Sequence, residues 1–533
     1  MKKLFLLTVT ALTILSFAIV GCSSNEASSG QSGQGSGSSK DTLVYGRAGD
    51  SDFLDPARSN TGETFKVTCN IFETLVHFNY KNQGTKVVPG LAKKWTISND
   101  GKTYTFKLRK GIKFQDGTDF NAKAVVFNFN RWKNGKGQFP FYPSEFNGYG
   151  DESVIKNVKA VDPYTVQFNL RQPSAPFLHN LALAAFGIAS PSAVKKYGKD
   201  FTKHPVGTGP YKLVKWEPNN MIVLEKNKNY WKKGLPKLNR IIFKVIKSNH
   251  GRLTALENGE IDLMSGLNPS DIEQVKNNQK LKVEFRPPLN VGYLGMTVTR
   301  KPFNQVKVRQ AINYAINKKA IVKAFYADKA EVAVSPLPKT IDAYYDGLKP
   351  YSYNPKKAKE LLKEAGYPNG FKMELWAMPI ARPYMPDAKK IAQAIQSDLS
   401  KVGIKAKIVT YDWATYLAKI HKQQADAFLL GWTDTNGTAN DILYTQFSTD
   451  SVGGNNGTFY SNKQLDRILK KAQRETDKAK RKELYKKAQI IIHHDAPWVP
   501  IVHSTPAFAV GKDLIDFKPQ PTGPYPLSSV QFK

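Results

Sequence analysis

The 533-residue sequence predicts an α/β protein of two packed lobes, a mostly β first half and an α/β second half that meet near residue 290. Three observations carry this. The chain exceeds the roughly 250–300 residues at which a single core stops growing. Hydrophobic residues make up 41% of it, with 29 Phe, 24 Tyr and 8 Trp, enough to pack more than one core. No Gly- or Ser-rich linker separates the halves, so the lobes are expected to pack intimately rather than as beads.

The elements follow in order. Thr42-Leu43-Val44-Tyr45 opens the folded body as a strand. Leu75-Val76-His77-Phe78 and Val87-Val88-Pro89-Gly90-Leu91-Ala92 flank a polar turn. Thr103-Tyr104-Thr105-Phe106-Lys107-Leu108-Arg109 alternates cleanly after the hairpin turn Asn99-Asp100-Gly101-Lys102. Residues 121–129 read as a helix capped by Asn121, and residues 158–170 as a strand pair around Asp162-Pro163. Strands are expected at 211–216, 221–225 and 241–246, and a helix near 253–257. From residue 290 the character changes. Residues 306–326 carry apolar positions at helical spacing (Val308, Ile312, Ala315, Ile316). Asn354 followed by Pro355 starts a helix that Gly366 stops, residues 404–410 alternate, and Phe428-Leu429-Leu430-Gly431-Trp432 reads as a buried strand. Two basic helices fill residues 462–493. No internal repeat is apparent.

Between Glu374 and Lys390 the sequence passes from a strand into Ala377-Met378-Pro379-Ile380-Ala381-Arg382-Pro383-Tyr384-Met385-Pro386 and then a helix. Pro379, Pro383 and Pro386 each fix φ and remove a donor, so regular structure stops there. Asp387 is a good N-cap for the following helix, which Gly403 ends. Arg382 and Tyr384 thus sit on a stiff loop between rigid elements, the usual place for ligand contacts.

The N-terminus reads as an export signal: Met1-Lys2-Lys3, then an apolar run over residues 4–20, short for a spanning helix. Its end, Ile19-Val20-Gly21-Cys22, resembles a bacterial lipobox, which implies diacylglycerol on Cys22 and removal of residues 1–21. The Ser/Gly-rich residues 22–40 form a tether that buries too little to fold. Cys22 and Cys69 are the only cysteines, so lipid on Cys22 leaves no intrachain disulfide; Cys69 reads as a small buried hydrophobe. The formal charge is +34, from 78 Lys and Arg against 44 Asp and Glu. The lysines are dispersed along helix faces and no nucleic-acid-binding motif occurs, so the charge suits diffuse association with anionic headgroups or wall polymers.

Catalytic signatures are missing: no Walker A sequence, Gly-x-Ser-x-Gly, His-Glu-x-x-His or Cys-x-x-Cys. Gly207-Thr208-Gly209 lacks the rest of a dinucleotide fingerprint. His493-His494-Asp495 falls at a helix end, where neighbours point about 100° apart and do not converge on a metal. The sequence therefore reads as a non-enzyme without cofactor or metal.

From Thr42 nearly to the end the chain resembles the peptide-binding proteins of ABC importers, extracytoplasmic solute-binding protein family 5, and within them the dipeptide-binding branch. The resemblance runs through Val88-Pro89-Gly90-Leu91-Ala92 with Trp95, Asp100-Gly101-Lys102-Thr103-Tyr104-Thr105-Phe106 and Pro205-Val206-Gly207-Thr208-Gly209-Pro210-Tyr211. It continues through Leu289-Asn290-Val291-Gly292-Tyr293-Leu294, Pro302-Phe303, Lys307-Val308-Arg309-Gln310-Ala311-Ile312, Leu375-Trp376-Ala377-Met378-Pro379, Arg382-Pro383-Tyr384 and Gly431-Trp432-Thr433. It implies a two-lobed periplasmic-binding-protein type II-like (cluster C) fold with an extra inserted β-rich domain. The expected domains are lobe I from 41–75, 205–289 and 500–533, the insertion 76–204, and lobe II 290–499. The implied function is a monomeric, lipid-anchored receptor on the outer face of the cytoplasmic membrane, which closes on a peptide and delivers it to an ABC permease. The alternatives are the same fold with haem, a nickel chelate or a longer oligopeptide, or a surface adhesion or sensing role.

The resemblance also implies a site: Arg382 for the ligand carboxylate, with Tyr384, Met378, Gly431 and Trp432 around it. A guanidinium takes a carboxylate as a bidentate fork. The branch places an Asp for the ligand amino group where this chain has Thr435; here the carboxylate stands one residue earlier, at Asp434. On a strand that shift turns it to the other face, whereas a loop can absorb it. Trp432 and Trp376 are the tryptophans expected near the cleft.

Overall fold

The computed structural model describes residues 40–79, 84–524 and 526–533; the signal segment, Cys22 and all but the last residue of the tether lie outside the described residues. Three sheets organise the body. The first lobe is a seven-stranded sheet in the spatial order Leu281–Phe285, Ala507–Gly511, Leu263–Leu267, Thr42–Arg47, Arg240–Val245, Met221–Lys226 and Tyr211–Glu217. Thr42–Arg47 lies parallel to both its neighbours, and the outer pairs are antiparallel. Strands from three distant stretches of chain thus make one core, with Leu43, Tyr45, Ile241, Phe243 and Val510 buried in it.

An all-antiparallel sheet, Ala92–Ile97, Thr103–Leu108, Thr165–Leu170 and Ile155–Asp162, forms the inserted domain. Its inward positions Tyr104, Phe106, Val166 and Phe168 pack under the helix Ala122–Asn134, which Asn121 caps by accepting from the Ala124 N–H.

The second lobe is a six-stranded sheet in the order Ala330–Val332, Trp498–Ser504, Asn290–Met296, Ala427–Thr433, Lys372–Trp376 and Lys405–Val409. Strand Asn290–Met296 is buried at every position, which explains its unbroken apolar character. Asp387 caps Ala388–Ser400 and Asn354 caps Pro355–Glu364, as the sequence predicts. Residues 306–326 are two helices, Val306–Ala315 and Lys318–Phe325, because Asn317 accepts from the Ala320 N–H and starts the chain afresh. Cys69 is partly exposed, with its thiol on the Lys66 carbonyl, so it is not the fully buried hydrophobe expected.

The chain passes between the lobe sheets twice, at residues 286–289 and 505–506. The apolar strand Trp498–Ser504 pairs with Asn290–Met296 before the second crossing at Thr505-Pro506. The two crossings run side by side. Arg286 N–H donates to the Pro506 carbonyl at 2.9 Å. The Asn290 amide donates to the Ser504 carbonyl and accepts from the Ser504 N–H, at 2.9 and 3.0 Å. These two short adjacent segments join the two lobe sheets.

Candidate ligand-binding site

The site begins with a pair of glycines. Gly292 and Gly431 face each other across the antiparallel strands Asn290–Met296 and Ala427–Thr433. Neither bears a side chain, and Tyr384 lies in the space. A Cβ on Gly431 would collide with the Tyr384 ring, and one on Gly292 with the Tyr384 carbonyl. The Tyr326 hydroxyl donates to that same carbonyl at 2.9 Å. The loop closes on itself through reciprocal backbone bonds between Arg382 and Met385, at 3.0 and 2.8 Å. Tyr384 is therefore a buried anchor, and Arg382, two residues earlier, is held at the surface by the loop it pins.

Arg382 is exposed, with its guanidinium 5.2 Å from the centre of the Trp413 ring. No carboxylate pairs with it among the described residues. A guanidinium stacked on an indole keeps its fork of donors open.

The strand Ala427–Thr433 ends one residue before Asp434, so the displaced carboxylate lies in a loop and not on the opposite face of a strand. Asp434 is fully buried. One oxygen accepts from the backbone N–H of Asn436 (2.9 Å) and of Gly437 (2.5 Å), while Oδ2 has no hydrogen-bond partner. Beside it stands Asp441, in the first turn of the helix Ala439–Phe447, whose Oδ2 accepts from the Thr435 N–H and hydroxyl, at 2.8 and 3.2 Å. The Trp432 indole donates to Asp441 Oδ1 at 3.3 Å. Across the seam, Glu145 of the inserted domain accepts from the Asn436 amide at 3.4 Å. The same amide donates to Asn180 Oδ1 at 3.1 Å.

Among the described residues no Lys or Arg forms an ion pair with Glu145, Asp434 or Asp441. Burial, and then the Asp441 charge, pushes Glu145 up to about 8. Burial first and Asp441 second hold Asp434 well above the carboxylate range, and burial raises Asp441. Taking charge out of water without a partner favours the neutral form, and two facing carboxylates cannot both ionise cheaply.

Of the residues expected at the site, Tyr384 and Gly431 are in contact, and Trp432, Asp434 and Thr435 gather around Asp441. Met378 is buried in the second-lobe core. Trp376 is 1% exposed there too, its indole donating to Glu374, so it does not line a cleft. The sequence reading missed Asp441 and Glu145. An acid in the first turn after the Gly431-Trp432-Thr433 strand was a usable signal for Asp441; nothing local marks Glu145.

Two cavities flank this loop. An apolar one of about 30 Å³ touches Thr435 and is lined by Phe65, Phe78, Phe141, Leu183 and Pro524, which come from the first lobe and the insertion. A larger one of about 480 Å³ lies beyond Gly437 and carries Lys86, Lys478, Arg481 and Lys482 against the single carboxylate of Asp342. The loop therefore separates an acidic side from a basic one. Among the described residues no group of His, Cys, Asp and Glu is placed to hold a metal ion.

The model of the bacterial extracellular solute-binding proteins, family 5, matches residues 86–454. The di/tripeptide-binding protein 3 of Pseudomonas aeruginosa (strain UCBPP-PA14) is 38% identical over 495 residues, covering 90% of this chain and 92% of its own. The dipeptide-binding protein of Escherichia coli (strain K12) is 38% identical over 511 residues, covering 92% and 95%. Among solved structures, the ABC transporter-associated periplasmic binding protein DppA of Helicobacter pylori in complex with the peptide STSA matches with a TM-score of 0.79 and 34% identity, over 93% of this chain and 98% of its own.

Proposed function

The chain belongs to the bacterial extracellular solute-binding proteins of family 5, and on that premise we propose that it captures short peptides between its lobes for an ABC-type import permease. It acts as a monomer outside the cytoplasmic membrane, anchored by lipid on Cys22. No helix among the described residues is long and apolar enough to cross a membrane.

The observation that carries the reading is an exposed guanidinium and a buried carboxyl near one strand end, neither with an ion-pair partner among the described residues. Arg382 is tied through Tyr384 to Gly431, and Asp434 lies three residues beyond Gly431. An extended peptide of two or three residues spans about 7–11 Å. A zwitterion loses hydration at both ends on entering a dry seam, so each end must meet charge or dipoles. Arg382 serves the carboxylate and Asp434 the ammonium, while the small apolar cavity beside Thr435 takes the N-terminal side chain. The basic cavity beyond Gly437 disfavours an ammonium on that side, which orients the ligand.

Isothermal titration with di-, tri- and pentapeptides, and with N-acetylated and C-amidated dipeptides, tests this. Di- or tripeptides with both ends free should bind tightest. Binding of haem or a nickel chelate with no heat from any peptide would overturn it.

A further inference from the structure

We infer that the cavity of about 480 Å³ between the inserted domain and the second lobe is a second ligand site, for a small molecule carrying two or more phosphate groups, separate from the peptide site. The site itself stands apart from the peptide reading; only its linkage to peptide binding rests on that reading.

The walls of the cavity carry it. Lys86 and His179 come from the insertion, and Lys478, Arg481 and Lys482 from the start of the helix Lys478–Asp495. Asp342 is the single carboxylate among the described lining residues. The cations converge on it: Lys478 and Lys482 reach its two oxygens, at 2.8 and 3.9 Å. The hydrogen bond from Lys478, then the charges of Lys478, Lys482 and Arg481, hold Asp342 below the usual carboxylate range. Arg481 donates to the Glu475 and Thr476 carbonyls at 2.8 and 3.3 Å, which steadies its guanidinium at the helix start. The same charges reach across the seam. Burial first, then Arg481 and Lys478, hold His179 of the insertion down at about 4, hence neutral. A second helix, Ala439–Phe447, also begins at the cavity, where Thr438 gives it no side-chain cap. Its first N–H groups and its dipole favour an anion there.

Size and charge select the ligand. Small-molecule pockets run from about 300 to 1,000 Å³, so the volume suits a small molecule. Four cations against one carboxylate leave an excess of three positive charges. A single phosphate group brings about 1.5 to 2 negative charges, so neutralising the walls takes two. Lysines as point charges, a guanidinium fork and a helix N-terminus are all devices that hold phosphate oxygens. Closing the seam sets Lys86 of the insertion against Lys478, Arg481 and Lys482 of the second lobe, and a polyanion held by both walls offsets that repulsion. Its binding and closure on a peptide therefore assist each other, by the same factor in either direction.

The test is calorimetry of the full chain with inorganic pyrophosphate at pH 7, with and without saturating alanyl-leucine. About 0.15 M KCl screens diffuse surface attraction beyond about 8 Å. Wild type should take up a single pyrophosphate per chain, more tightly with the peptide present, and bind inorganic phosphate at least ~10-fold more weakly. Lys478→Gln with Lys482→Gln should weaken pyrophosphate at least ~10-fold. Asp342→Asn should tighten it about 3-fold, a gain that misfolding cannot produce. Lys356→Gln with Lys359→Gln removes two charges from the exposed face of the helix Pro355–Glu364 and should change affinity by less than ~2-fold. No saturable binding in either condition, several pyrophosphates per chain, equal losses in the two lysine double variants, or displacement of alanyl-leucine overturns the inference. If pyrophosphate binds one to one and no peptide binds, the peptide reading fails and this site stands. If peptide binds and pyrophosphate does not, the reverse holds.

Discussion

Arg382 is exposed and Asp434 is wholly buried, so the two ends of the site differ in their physics. Replacing one partner of a charge pair desolvated by ligand typically costs about 2–5 kcal/mol. Arg382→Ala is thus expected to weaken dipeptide binding by roughly 30-fold or more, at ~1.4 kcal/mol per decade. The protein itself should hardly change stability, because the exposed side chain has, among the described residues, the Trp413 ring to lose. Asp434→Asn should weaken binding comparably, while N-acetylated dipeptides should bind the variant and wild type alike. Titration of both variants with free and acetylated alanyl-leucine checks this; a neutral Asp434→Asn would remove the carboxylate from the site.

Among the elements, the glycine-floored strand pair and the proline-bounded loop act as one unit. Gly431→Ala would press a methyl into the Tyr384 ring and against the Val291 carbonyl, a backbone atom that cannot step aside. Overpacking of this kind costs about 1–3 kcal/mol. The urea midpoint should fall, and peptide affinity with it, since displacing Tyr384 moves Arg382. Gly431→Ala with wild-type affinity would show that Tyr384 does not position the guanidinium. At the other end of the loop, Asp387→Ala removes the bond to the Lys390 N–H and should cost about 1 kcal/mol with a small loss of affinity.

For the whole molecule, two adjacent crossings and a thin polar seam argue for opening and closing. Between insertion and second lobe the seam carries the Asn436 to Asn180 bond and the Ala175 N–H to the Gln473 carbonyl, at 3.1 and 2.8 Å. Bonds of this kind exchange for water at little net cost. Small-angle scattering should therefore show a smaller radius of gyration with saturating dipeptide than without. Superimposable profiles would rule out hinge closure. Lipidation is checked by intact mass of membrane-extracted protein, expected to lack residues 1–21 and to carry diacylglycerol on Cys22. The processed chain, without Lys2 and Lys3, keeps an excess of 32 positive charges, which should make its retention on anionic vesicles fall steeply with salt.

Much of this was legible in the sequence because it is decided locally. Asn121, Asn354 and Asp387 announce their helices by accepting from N–H groups three residues on, and three prolines within eight residues force the Arg382 loop whatever surrounds it. The order of short matches from Val88 to Thr433 pointed to the family and to Arg382. Other features depended on what the chain meets on its return. Whether Asp434 flips face or is absorbed turned on where a strand stops, which the pairing of Gly292 with Gly431 sets across 139 residues of chain. Trp376 shares the strand–loop stretch with Arg382 yet is buried in the core, because burial depends on neighbours as well as on sequence position. Glu145 stands 291 residues from Asn436, on a short helix with no motif of its own. A solvated glutamate and a half-buried one beside Asp441 have the same local sequence, and only the docking of the inserted domain on the second lobe distinguishes them.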